Sequence, residues 1–229
     1  MSPASSATLS CGSAADWIER THGQLDFVFS FRLISNRGSA SLSARINRKR
    51  LPVDGVQDTT ELLTLDGTQI IAAMRGAMVD IVVAVPDITT SAGLLWPLSR
   101  NPAFQLVRIC KEDEGISICS SLVYCGRRPV LLMQQTGLLD SLNAVRGIAI
   151  QYKRPICMLV GLLGKEPGVP PVRNKKYGVR IIEPVLQAME VGYTLIESDE
   201  DISKIPAAID RTYSSSAPHV VLFGRDIRP

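Results

Sequence analysis

Six short apolar runs, each almost unbroken, dominate the chain from residue 66 onward. They are "VDIVVAVP" (79–86), "FQLVRIC" (104–110), "PVLLMQ" (129–134), "PICMLVGLLG" (155–164), "YTLIES" (193–198) and "HVVLFG" (219–224). A strand with one wet face alternates polar and apolar residues, whereas a run without polar gaps belongs to a strand covered on both faces. Stretches of helical spacing separate the runs. Ile70, Ile71, Met74 and Met78 mark one over 68–78, and 90–100, 113–125, 137–152, 180–192 and 199–214 read as helices. Strands alternating with helices imply right-handed β-α-β crossovers. The predicted fold is therefore an α/β domain over 66–229, a doubly wound, mostly parallel six-stranded sheet with helices on both faces. In such sheets ligands bind outside the carboxyl ends of the strands. Three strand ends become candidates: Pro86 to Thr90, Cys110 to Gly115, and Gln134 to Gly137.

Residues 1–65 read differently. "MSPASSATLSCGSAAD" is small and polar, and the segment that follows mixes Ser and Arg with one short apolar alternation at 26–34 that could form a strand. A compact apolar signal core is missing, and Asp16, Glu19 and Asp26 argue against a transit peptide. This part is expected to be a poorly ordered N-terminal extension. The net charge of +3 is too small to point to nucleic acid, and the basic run Arg45–Arg50 reads as a solvated loop. Five cysteines, Cys11, Cys110, Cys119, Cys125 and Cys157, include no C-x-x-C pair, and four sit among apolar residues. They read as reduced, buried small hydrophobes of a cytoplasmic protein. His22 and His219 stand too far apart for zinc-ligand spacing, and no apolar run is long enough to span a bilayer.

The familiar nucleotide devices are missing from the sequence. No G-x-G-x-x-G follows the first strand, "GLLGKE" (161–166) is too short for a phosphate loop, and no G-x-S-x-G elbow occurs. What remains is an acidic turn at the second strand end, Glu112, Asp113 and Glu114. Carboxylates in a first helical turn favour the positive end of the helix dipole, which accounts for Glu112 and Asp113. Glu114 precedes Gly115, Ile116 and Ser117, small or apolar residues, a context that suggests it faces packed surface rather than water and sets it apart from its two neighbours. Lys111 and Lys165, past strand ends, read as surface residues that could otherwise hold an anion, and Arg127 and Arg128 precede their strand at the opposite edge.

The run "EDEGISICSSLVYCGRRPVLLMQQTGLLDSLNAV" resembles the pyrimidine-binding domain of thiamine-diphosphate-dependent decarboxylases, closest to the sulfopyruvate and phosphonopyruvate decarboxylase branch. "VDIVVAVPD", "GLLGKEPGVPPVRNKKYG" and "SAPHVVLFGR" are similar to further segments of that family in the same order, so the resemblance covers 68–225. It implies that Glu114 is the glutamate that hydrogen-bonds the cofactor pyrimidine and favours its proton-abstracting imino form. It implies cofactor contacts for Pro86, Gln134, Gln135, Thr136 and Gly137, and a substrate or proton role for Asp87. Gln-Thr-Gly stands where relatives often have Asn-Ser-Gly, and Asn143 on the next helix suits an interface as well as a site.

Enzymes of this class hold the diphosphate and Mg2+ with a Gly-Asp-Gly motif, which the sequence lacks; "VDG" (53–55) and "LDG" (65–67) have no strand–helix context. No metal ligand is expected in this chain. The resemblance implies an alpha-type subunit whose beta-type partner supplies diphosphate and Mg2+ binding, acting on a small anionic 2-oxoacid. A non-catalytic regulatory subunit is the alternative expectation, and a flavodoxin-like nucleotide binder is opposed by the missing phosphate loop.

Overall fold

The computed structural model describes residues 64–229; residues 1–63 of the expected extension, with the strand at 26–34, Cys11, His22 and the basic run, lie outside the described residues. In chain order the elements are β1 (Thr64–Asp66), α1 (Gly67–Gly76), β2 (Ile81–Ala84), α2 (Trp96–Ser99), β3 (Gln105–Arg108), α3 (Glu112–Tyr124), β4 (Pro129–Gln134), α4 (Gln135–Asp140) and α5 (Leu142–Ala144). Then follow β5 (Cys157–Gly161), α6 (Tyr177–Arg180), α7 (Ile182–Ala188), β6 (Gly192–Ile196), α8 (Ile205–Ser215), β7 (His219–Phe223) and β8 (Asp226–Arg228).

The six apolar runs form one parallel sheet of order β3-β2-β4-β5-β7-β6. The four inner strands carry the unbroken runs, and β2, β5 and β7 are buried along their whole length. The edge strands β3 and β6 are the two whose residues stay partly exposed. Because side chains alternate along a strand, each inner strand feeds two cores. Val82, Leu132 and Leu159 meet α1 and α8 on one face. Val83, Leu131 and Met158 meet α3 and α7 on the other. The predicted doubly wound sandwich of helix, sheet and helix is the fold observed.

Three expected helices are broken, each for a local reason. The stretch 137–152 begins at Gln135 and stops at Asp140, where buried Ser141 turns its hydroxyl back onto the Gly137 carbonyl at 2.7 Å. A wider π turn, Val145–Ile150, then completes it. The stretch 180–192 divides at Ile181, ahead of Pro184 in the first turn of α7, where a missing N–H costs least. The last helix begins as a 3-10 turn, Asp199–Lys204, closed by a reciprocal Ser198–Asp201 cap.

Two strands have no counterpart in the sequence reading. β1 and β8 pair in parallel apart from the main sheet, so the expected boundary at residue 66 falls inside β1. Arg228 joins Asp66 and Asp199 at 3.3 and 3.1 Å, and Asp199 accepts the Asp66 N–H at 2.8 Å. Gly67 and Gly93 lie under this pair, where a Cβ on either would overlap neighbouring backbone. Of the cysteines expected in the interior, Cys119 and Cys157 are buried, and burial raises both thiols, Cys157 to about 12. Cys110 and Cys125 are exposed instead, one beyond an edge strand and the other just past the end of α3.

Candidate active site

The chain leaves β2 for β3 on one side and returns to β4 on the other. The carboxyl ends of β2 and β4 therefore flank the point where the winding reverses, the natural crevice of such a sheet. All three strand ends singled out from the sequence open near it.

At the end of β2, Pro86 is exposed and Asp87 is turned into its own loop. One Asp87 oxygen accepts from the Thr89 and Thr90 N–H groups at 2.6 and 2.7 Å and from the Thr89 hydroxyl at 2.7 Å. The other accepts the Thr90 hydroxyl at 2.6 Å. The carboxylate holds the turn and folds Thr89 over Gly161 at the end of β5, where an added Cβ would overlap it.

At the end of β3, α3 opens with the three acidic residues in its first turn. Asp113 behaves as a helix-start group: its Oδ1 accepts the Glu114 N–H at 3.0 Å and it pairs with Lys111 at 3.5 Å. Glu114, expected against packed surface, is exposed. Glu112, expected as a cap, is half-buried and lies against Gly137 of α4, so closely that a Cβ on Gly137 would overlap its Cγ, Cδ and Oε1. Helix geometry explains the exchange. At about 100° per residue, Glu112 shares a face with Ile116 and Cys119, both buried, whereas Glu114 shares one with Ser117 and Ser121, both exposed. That phase was available in the sequence. Among the described residues the Glu112 carboxylate has no hydrogen-bond or ion-pair partner.

At the end of β4, the predicted residues divide. Gln135 is buried and its Oε1 accepts the Leu163 N–H at 2.8 Å, tying this turn to the end of β5. Gln134 donates to the exposed Thr136 hydroxyl at 3.2 Å. Gly137 forms the floor under Glu112. Asn143 is exposed and accepts from Arg146 at 2.9 Å. The structure thus joins Glu112 with Gly137, leaves Thr136 and Pro86 facing outward, and commits Asp87 and Gln135 to the scaffold.

A second polar group, unforeseen from the sequence, lies farther along the same edge. Lys165 is not on the surface: its side chain is fully buried, bonded to Glu197 beyond β6 and donating to the Glu166 carbonyl at 3.2 Å. Burial raises the neighbouring Glu183 carboxyl against the hydrogen bond from Tyr193. Arg127 and Arg128 stand at the opposite, amino edge as expected, paired with Asp80 at 2.8 Å and with Asp210. Among the described residues no group of three His, Cys, Asp or Glu side chains could hold a metal ion, and no helix is long and apolar enough to cross a membrane.

The chemistry of the crevice is narrow. A half-buried carboxylate without a protein partner among the described residues, seated on a glycine, can exchange a hydrogen bond or a proton with a flat, neutral heterocycle. The residues present therefore fit the pyrimidine half of thiamine diphosphate.

No family model matches the chain. It is 33% identical over 92 residues to the alpha subunit of sulfopyruvate decarboxylase from Methanococcus maripaludis, a match covering 40% of this chain and 54% of that one. It is 24% identical over 161 residues to sulfopyruvate decarboxylase from Methanosarcina acetivorans, covering 67% of this chain and 38% of that one. The chain thus spans about half, or less, of the length of these relatives. Benzoylformate decarboxylase from Polynucleobacter necessarius shares the fold with a TM-score of 0.53 at 16% identity, over 73% of this chain and 32% of that structure. Sheet order, backbone likeness and sequence similarity agree: this chain shares the α/β fold of benzoylformate decarboxylase and is similar in sequence, over part of its length, to the sulfopyruvate decarboxylases.

Proposed function

We propose that the chain is the alpha-type subunit of a thiamine-diphosphate-dependent 2-oxoacid decarboxylase, a carboxy-lyase of the sulfopyruvate type that works with a beta-type partner. The partner carries the Gly-Asp-Gly motif and holds the diphosphate with Mg2+. One observation supports this reading above the others: an unpaired, half-buried carboxylate, Glu112, rests on Gly137 at the winding reversal of the sheet. When bound, the cofactor supplies the carbon nucleophile and the electron sink for loss of carbon dioxide. This chain's task is to hold a proton at the right place. The Glu112 carboxyl would share a proton with a ring nitrogen of the pyrimidine, and the partly dry strand end would strengthen that bond. Gln134 and Thr136 stand at the end of β4 and Pro86 at the end of β2, and Gln135 and Asp87 fix the turns that carry them. Glu114, which the family resemblance marks, lies two residues further along the same helix and is the competing carboxylate.

The test is to co-purify the full chain with its beta-type partner and to follow carbon dioxide release from sulfopyruvate with thiamine diphosphate and Mg2+. Glu112→Gln is expected to lower turnover by about 100-fold or more, the usual weight of a positioned acid–base group. Glu114→Gln is expected to stay within a few-fold of the parent. The reverse pattern would move the role to Glu114, and full activity in both variants would remove it from the acidic turn.

A non-catalytic binding subunit is the second reading. It is favoured by Asp87 and Gln135, whose polar atoms are spent inside the fold. Calorimetry with thiamine diphosphate separates the two: no heat with or without the partner supports a regulatory subunit that has lost turnover.

A further inference from the structure

Gly137 is a residue without a backbone reason. Its φ is not in the left-handed region, since only Gly126, Gly164 and Gly168 among the described glycines are positive. It sits at the third position of α4, where alanine would form the helix more readily. What glycine provides there is space, and the occupant of that space is the Glu112 side chain.

We propose that Gly137 is the positioning residue of the site, its missing side chain being the slot that holds the Glu112 carboxylate over the end of β4. This inference rests on the functional reading above. Both walls of the slot are fixed. On one side the Gly137 carbonyl accepts from the Ser141 N–H and hydroxyl at 3.0 and 2.7 Å, and Gln135 is tied to Leu163. On the other side α3 is pressed onto the sheet at Gly115, where a Cβ would overlap Leu131 and Ile109. Neither helix can withdraw. A methyl group at 137 therefore acts on the flexible neighbour, and the Glu112 side chain swings out of the slot. Gly137 touches no reacting atom and acts through Glu112 alone.

The experiment combines Gly137→Ala with Glu112→Gln. Crystal structures of the full chain with and without Gly137→Ala should show α3 and α4 in place and the Glu112 carboxylate displaced. With the partner, Gly137→Ala should lower kcat by about 10- to 100-fold, the range expected when a reacting group is misplaced by about 1 Å, with KM for sulfopyruvate within about twofold. In the Glu112→Gln background the same substitution should cost nothing further, because the group it displaces is already disabled. An unmoved carboxylate, an unchanged kcat, or an equal loss in both backgrounds overturns the inference. If Glu112→Gln keeps full turnover, or the parent complex turns over no sulfopyruvate, the functional reading fails, and the two crystal structures still decide whether Gly137 places Glu112. Should Gly137→Ala not fold, adding Glu112→Asp, which shortens the side chain in the slot, restores folding if the inference holds and fails to do so if the methyl meets backbone.

Discussion

Lys165 shows how little a residue's charge says about its place. In sequence it sits in a Gly/Pro/Lys loop and reads as solvated, yet its ammonium is sealed between Glu197 and a backbone carbonyl. A lysine is buried only where its proton has partners. Removing one partner of such a pair is costly because the other charge stays uncompensated. Glu197 keeps about a third of its side chain in water, which softens the penalty. Glu197→Gln is therefore expected to destabilise the chain by about 2–4 kcal/mol in urea unfolding, and Lys165→Met by less, because it removes the buried charge itself. The reverse ranking would mean that the pair acts as an ordinary surface bridge. Glu112 makes the same point about reading single residues. Three adjacent carboxylates differ little by composition, and only the phase of α3, set by Ile116 and Cys119, separates the one that meets Gly137.

At the level of elements, β1 and α1 depend on one side chain. Asp66 accepts the Thr68 and Gln69 N–H groups at 2.9 and 3.2 Å and also meets Arg228. Asp66→Ala removes the helix cap and one arm of the Arg228 bridge together, with an expected loss of about 1–2 kcal/mol. Asp66→Asn keeps the cap and should lose less; equal losses in chemical denaturation would assign the effect to the bridge. The six sheet strands were legible because each is an apolar run with its own boundaries. β1 and β8 were not, because each is three residues long with a single buried side chain, Leu65 or Ile227, and no period can be read from one residue. The breaks in the helices were hidden for a related reason. Ser141 follows the helical pattern in sequence and departs from it only through its bond to the Gly137 carbonyl.

For the whole molecule, acid should act in two stages. Burial, with Arg211 nearby, lowers the His219 pKa from 6.5 to about 4, and its Nε2 lies 2.9 Å from the Thr194 hydroxyl. The unfolded chain then takes up this proton first. Stability from a neutral His219 is complete above about pH 6.5 and is lost as the pH falls towards 4. Burial opposes ionisation of Asp66 and Asp201, but hydrogen bonds from Gln69 and Thr68 to one and from Lys204 to the other hold both below 3.8. Their contribution is complete above that pH and is lost below it. Urea unfolding between pH 8 and 4 should show a decline in the parent chain that is shallower in His219→Gln. Identical slopes would exclude His219 as its source.

The small β1–β8 ladder has a mechanical meaning. Its strands run in the same direction, and Thr64 lies beside Asp226 while Asp66 lies beside Arg228. Tension applied to the domain through the amino end of β1 and the carboxyl end of β8 pulls the two strands in opposite senses along their common axis. Every rung is then loaded at once, in shear, and none can be peeled open before the next. The few residues least visible in the sequence form the clamp that a pull on these two strand ends must first open.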